Sequence, residues 1–118
     1  MANDTHHGGC HCGAVRYTVK LDTAGEAIEC NCSMCGRVGS LLMFTTPDNF
    51  VLDKGDDNLT DYLFNKHVIH HLFCKTCGIK SFARGTGPRG PMIAINVRCL
   101  DDVDVFTQPR KRYEGKKS

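Results

Sequence analysis

The segment Cys30-Asn31-Cys32-Ser33-Met34-Cys35-Gly36 puts three thiols into six positions, and the rest of the chain reads as a scaffold that brings further thiols toward it. Of eight cysteines, seven fall into tight groups: Cys10 with Cys12, the triplet Cys30, Cys32 and Cys35, and Cys74 with Cys77. Such spacings suit zinc, which takes thiolate sulfur tetrahedrally. A disulfide framework is the competing explanation, and it requires an oxidising compartment. Residues 1–9 are polar, and the longest apolar runs, 41–44 and 92–95, are far too short for a signal or membrane span. The chain is therefore expected to be soluble and cytoplasmic, with reduced thiols available to metal.

At 118 residues the chain reads as one domain over 1–118, with a core over about 8–103 and a basic tail over 110–118. A chain of this size buries roughly two-thirds of the surface it exposes when unfolded. Its formal charge of +2 counts every thiol as neutral. Seven thiolates around two Zn²⁺ would bring it to about −1, so the basic composition is weak evidence for an acidic partner.

In residues 14–20, Val15, Tyr17 and Val19 alternate with Arg16, Thr18 and Lys20, the period of a half-buried strand. Cys10 and Cys12 stand two apart just before it, so on an extended path both face one side. Residues 27–30 predict a strand that delivers the triplet, and the apolar run 40–46, closed by Pro47, predicts a buried one. Segments 59–65 and 67–73 predict a hairpin whose end carries Cys74-Lys75-Thr76-Cys77-Gly78. Another short strand is expected at 79–84, followed by a loop at 85–91 rich in glycine and proline. In 92–100 the period of two returns, with Ile93, Ile95, Val97 and Cys99 in one phase, which groups the eighth thiol with the core rather than with the metal ligands. Many short strands and no obligatory long helix make the class mainly β.

A structural zinc site uses all four positions, and a catalytic one leaves a position open. Seven clustered thiols divide as four plus three. Cys10 and Cys12 with Cys74 and Cys77 would close one site, and the triplet would hold a second zinc with an exchangeable position. Spacing equally permits Cys30 and Cys32 to pair with Cys74 and Cys77, and a closed triplet completed by Cys99 or a histidine. Among the histidines, His6 and His7 lie in a polar leader expected to be disordered, and His11 stands between two ligands. His67, His70 and His71 fall on a presumed strand, where alternate residues face opposite sides. His71 is the preferred candidate, three residues before Cys74. Arg37, directly after the triplet, and Arg84 with Arg89 are candidates to receive an anionic substrate. The basic tail, without interleaved aromatics, predicts no nucleic-acid partner.

The blocks G-G-C-H-C-G-A-V-R-Y, C-N-C-S-M-C-G-R-x-G, H-L-F-C-K-T-C-G-I-K-S-F and I-N-V-R-C-L-D, in this order from Gly8 to about Val103, resemble the family of glutathione-dependent formaldehyde-activating enzymes and centromere protein V-like domains. The resemblance implies a β-tent fold, small antiparallel sheets joined at zinc knuckles. It makes Cys10, Cys12, Cys74 and Cys77 structural zinc ligands and Cys30, Cys32 and Cys35 the ligands of a catalytic-type zinc, two zinc ions per chain. It also implies a carbon-sulfur lyase that joins formaldehyde to glutathione reversibly. Ser33 and His71 are then candidates to assist proton transfer, and Arg37 to contact the thiol substrate. A noncatalytic zinc-binding interaction module is the alternative function. Redox repair is a third, and it would need Cys99 as a free nucleophile.

Overall fold

The computed structural model describes residues 4–63 and 69–114. It is mainly β. Strands β1 (Asp4–Gly9), β2 (Arg16–Leu21) and β5 (Phe50–Lys54) form an antiparallel sheet in the order β1-β2-β5. The remaining strands are β3 (Ala27–Cys30), β4 (Leu42–Thr45), β6 (Leu59–Tyr62), β7 (Ile69–Cys74), β8 (Phe82–Gly87), β9 (Gly90–Asn96) and β10 (Arg110–Tyr113). They form a second sheet in the order β10-β3-β4-β9-β8-β7-β6. The mainly β class with small sheets is as expected; the β10–β3 edge pair of this second sheet is parallel. A single helical turn, α1 (Cys35–Val38), follows β3.

The core lies where the two sheets meet. In β2 the predicted alternation holds, with Tyr17, Val19 and Leu21 buried. Tyr17 crosses to the larger sheet: its ring meets Phe82 edge-on at 5.7 Å, and its hydroxyl donates to the Ser81 carbonyl at 3.0 Å. Phe50 completes the aromatic cluster, 4.9 Å from Phe82. Ile93, Ile95 and Leu41 fill the rest from β9 and the approach to β4.

Four expectations need correction. The leader is not disordered from Asp4 onward, because it supplies β1. His6 is buried there, with Nδ1 2.8 Å from Asp102 Oδ2, while His7 faces outward toward Thr18. The basic tail is a solvated segment only in part: Arg110–Tyr113 adds a strand to β3, and Glu29 of β3 faces the guanidinium groups of Arg110 at 3.8 Å and Arg112 at 3.4 Å. Residues 85–91 are mostly strand, since the β8–β9 ladder runs out to Gly87 opposite Gly90. The alternation of 92–100 stops at Asn96, after which Val97–Cys99 forms a 3-10 turn that leaves Cys99 half-buried and outside the phase of the core. The β6–β7 hairpin is antiparallel as expected; its bend, including His67, lies outside the described residues.

Gly9 holds the first cysteine pair against β2. A Cβ there would stand 2.0 Å from the Val15 carbonyl oxygen, which accepts the Cys10 N–H at 3.1 Å. Gly90 has φ of 104° but open space around its Cβ position. Gly9→Ala should therefore destabilise the metal-loaded protein by about 3 kcal/mol, because backbone must move. Gly90→Ala should lower stability by only about 1–2 kcal/mol, the conformational term alone. Urea unfolding of both variants checks this, and the reverse order would contradict the packing at Gly9.

Candidate functional site

Two groups of thiols converge among the described residues. The first contains Cys10, Cys12, Cys74 and Cys77, whose sulfurs lie within 4.8 Å of one another. Cys10 and Cys12 come from the turn between β1 and β2, and Cys74 and Cys77 from the end of β7 and the turn after it. That turn closes with Gly78 in the left-handed region at φ of 79°, its N–H donating to the Cys74 carbonyl at 2.9 Å. Cys12 Sγ stands 3.6 Å from both Cys10 Sγ and Cys74 Sγ. Tetrahedral zinc with bonds near 2.3 Å sets sulfurs about 3.8 Å apart, so the donor set and spacing fit the ion. Backbone N–H groups of Val15, Thr76 and Cys77 and the Asn58 amide point at these sulfurs at 3.3–3.5 Å. The N–H of Cys77, assisted by that of Thr76, helps draw the Cys74 thiol down to about 6, into the range where it is a thiolate ready for metal.

The second group is the triplet, again within 4.8 Å. Cys30 ends β3, Cys32 sits in the following turn, and Cys35 opens α1. The loop folds on its own sulfurs: Cys32 N–H donates to Cys30 Sγ at 3.4 Å and Cys35 N–H to Cys32 Sγ at 3.3 Å. Gly39 at φ of 75° caps the turn. Burial opposes ionisation of Cys32, but the Cys35 N–H and the neighbouring thiols outweigh it and hold Cys32 below the usual thiol range. Burial, then the bond to Cys32, pushes Cys35 up to about 12. Between these two, the surroundings favour ionisation of Cys32 over Cys35. Three soft donors fit zinc, and no fourth histidine, cysteine or carboxylate joins them within 4.8 Å among the described residues.

Two residues absent from the sequence-based candidates bear on the site: Lys80 faces the triplet, and Asn96 holds the backbone near Lys80. Lys80 is half-buried, and desolvation lowers its pKa while the charges of Cys35 and Cys32 oppose that shift. The ammonium therefore sits within electrostatic reach of both sulfurs. Asn96, 7 % exposed, accepts the N–H groups of Leu41 and Arg98 at 3.3 Å each and donates to the Lys80 carbonyl at 3.2 Å. No local motif marks either residue; only the packing of β4, β9 and the segment after Cys77 reveals them.

The sequence-based candidates separate in space. His71 is buried on β7, paired in register with Tyr62, whose ring centroid is 6.5 Å away. It shares with the triplet the field of Lys80. Ser33 and Arg37 are exposed, and the Arg37 guanidinium donates to the Ser33 carbonyl at 3.0 Å. They line a shallow recess of about 250 Å³ with Met34 and Tyr62. A larger cleft of about 580 Å³ opens along Cys30 and Cys35. Arg84 lies on β8, away from both recesses, and Arg89 is exposed in the β8–β9 turn. Cys99 joins neither thiol group, and burial, then the charges of Cys10 and Cys77, raises its thiol to about 11.

A sequence model of the family described as glutathione-dependent formaldehyde-activating enzyme matches residues 5–115. The fold is similar to the crystal structure of a Rhodobacter sphaeroides protein, a structural-genomics target. That similarity has a TM-score of 0.79 at 30% identity and covers 90% of this chain and 97% of that one.

The position of His71 has a measurable consequence. Burial, then the Lys80 charge, depresses its pKa from 6.5 to about 4. Between those values the unfolded chain binds the proton and the folded chain does not, so the stability tied to neutral His71 is lost as pH falls through this window. Ring chemical shifts in the metal-loaded protein should show His71 neutral at pH 5.5, and titration between pH 6 and 7 would contradict its burial beside Lys80.

Proposed function

This chain belongs to the glutathione-dependent formaldehyde-activating enzyme family, and from that membership we propose that it is a zinc-dependent carbon-sulfur lyase acting on the glutathione adduct of a small aldehyde such as formaldehyde. The observation that carries the proposal is the unequal division of thiols. Four sulfurs make a complete tetrahedral set that ties the sheets together, while three make an incomplete one beside an open cleft. That is the difference between a structural and a catalytic-type site. Two zinc ions per chain, one in each group, follow from it.

Cys10, Cys12, Cys74 and Cys77 would hold the first ion, and Cys30, Cys32 and Cys35 the second. Zinc at the triplet would supply a Lewis-acidic position that favours thiolate at neutral pH or polarises a carbonyl oxygen. In the forward direction the thiol sulfur bonds to the aldehyde carbon, the C=O π bond opens, and the sulfur's proton ends on the new hydroxyl; no electrons are exchanged with another reagent. The chain's own groups serve the charge and proton inventory. The Lys80 ammonium offsets the negative charge of Cys32 and Cys35 and of an incoming thiolate. His71 stays neutral near pH 7, so its ring retains a basic nitrogen as well as an N–H. Ser33 and Arg37 line a separate, smaller recess, and the hydroxyl and guanidinium there would act only on a substrate that reaches it.

Metal analysis and turnover test the division together. Cys35→Ser should keep one zinc and a native thermal unfolding profile, lose the second zinc, and lower turnover of the glutathione–formaldehyde adduct at least about 100-fold. Cys77→Ser should instead lose the fold, since a structural zinc contributes on the order of 10 kcal/mol, comparable with the whole net stability of a small domain. Unimpaired turnover in Cys35→Ser would sink the proposal, as would an X-ray absorption edge that saturating glutathione leaves unchanged.

A further inference from the structure

Arg84 serves neither thiol group, and its place on the larger sheet is unexpected for a charged residue. The sheet turns one face toward β2 and β5, and strand register puts Leu72, Phe82 and Ile95 on that face in one buried row. The next row toward the β8–β9 turn is His70, Arg84 and Ile93, so two basic side chains follow apolar ones on the face that makes the core. A hollow of about 460 Å³ is lined by this row together with Phe50 and Leu52 of β5, and therefore lies between the two sheets. Met92 adds further apolar surface, and neither a cysteine nor a carboxylate lines the hollow. The Arg84 guanidinium lies over the Phe82 ring at 5.5 Å, and among the described residues it makes no ion pair. His70 differs, because its Nδ1 lies 2.6 Å from Asp61 Oδ2, a carboxylate that offsets charge on the ring. An adjoining recess of about 340 Å³ shares His70 and Arg84 but also contains Asp56 and Asp61, which would repel an anion.

We propose that the hollow between the sheets is a second ligand site, separate from the thiol groups, for a small molecule with an apolar body and a single carboxylate. The carboxylate takes two parallel hydrogen bonds from Arg84, and the body lies against Phe50, Leu52 and Met92. A guanidinium stacked on an aromatic ring keeps its N–H edge free to donate, so the contact with Phe82 holds the group without using it up. The volume falls within the range of small-ligand sites, roughly 300–1,000 Å³. One guanidinium without an acidic partner matches one negative charge, whereas a phosphate dianion would lack a second free cation, since Asp61 already holds His70. A bare anion would leave the apolar lining wet, and an apolar body removes it from water. Binding here does not involve the triplet, so it is independent of the lyase activity proposed above.

Amide chemical-shift titration of the zinc-loaded protein tests this with phenylbutyrate as the probe and phenylbutyramide, acetate and phenylbutylamine as comparisons. Phenylbutyrate should give saturating shifts centred on residues 50–52, 84–86 and 92–93, with none in 30–38. The neutral amide and acetate should each bind about tenfold more weakly, the scale of one charge-assisted contact or of the lost apolar body, and the amine weakest of all. Arg84→Gln should weaken phenylbutyrate about tenfold and leave the amide unchanged. Arg84→Lys, which keeps the charge but not the paired donors, should fall between. Arg84 is exposed, so both variants are expected to fold, and their unfolding temperatures check it. Cys35→Ser should bind phenylbutyrate as the unsubstituted protein does, so that failure of this site and failure of the lyase reading show separately. Absence of saturation at millimolar probe, shifts centred on the triplet loop, or full affinity in Arg84→Gln overturns the proposal. Acetate binding as tightly as phenylbutyrate overturns it too, because the contact would then be an anion on a surface arginine and nothing more.

Discussion

Four sulfurs drawn from the ends of two sheets converge to within 4.8 Å of one another, a set that one tetrahedral ion could bridge, and the rest of the site is arranged around that convergence. Cys10 and Cys12 belong to the three-stranded sheet, and Cys74 closes β7 of the larger one. At 3.6 Å, thiolates repel one another unless a cation lies between them, and protonated thiols gain little from such weak hydrogen bonds. The N–H groups aimed at Cys10 and Cys74 favour the charged form. With a metal ion bound, the cluster would staple together two sheets that otherwise meet on the small aromatic cluster of Tyr17, Phe50 and Phe82. From Cys74 the ladder runs through β8, β9 and β4 to β3, whose last residue is Cys30. Register carries the geometry of the first cluster to the second, because a slip of one residue would reverse the faces of each strand.

At the far end of that ladder a single carboxamide takes over. Asn96 ends β9, and its two polar atoms reach three separate segments: the approach to β4, the turn with Arg98, and the chain at Lys80. Its burial is affordable because oxygen and nitrogen are both used. The same bonds explain why β9 stops, since the Arg98 N–H turns toward Asn96 Oδ1 rather than out to a neighbouring strand. Cys99, as a result, leaves the phase that would have buried it fully, though burial still keeps its thiol protonated at neutral pH and unsuited to nucleophilic redox chemistry.

The contrast between what the sequence reveals and what it hides has a physical basis. Thiol spacings are local, so Cys30, Cys32 and Cys35 announce a metal loop without any tertiary information, and the alternation of Tyr17, Val19 and Leu21 does the same for β2. The assignment of Cys10 and Cys12 to Cys74 and Cys77 is nonlocal: spacing left another pairing open, and the packing decides it. His6 looked like part of a polar leader because its partner, Asp102, is distant in sequence. Residues 110–113 carry no apolar period because their strand is an exposed edge, held by backbone pairing and by Glu29 rather than by a buried face. Arg98 is unremarkable for the same reason; it acquires its place only from Asn96, which alternation puts simply on the polar face of a strand.

Around the triplet, charge sets the division of labour. Backbone N–H groups favour the ionised form of Cys32, and Lys80 stands close enough to interact with it and with Cys35. Burying an ammonium alone would deprotonate it; the sulfurs oppose that, and the cation in return favours sulfur anions. The same cation disfavours protonation of His71, adding to the effect of burial, so the imidazole remains neutral and basic at a pH where an exposed one begins to charge. A metal at the triplet would add positive charge and reinforce each of these tendencies. Lys80 and His71 therefore meet the triplet through charge, whereas Arg98 and Glu114 line the solvent-facing cleft that Cys30 and Cys35 also border.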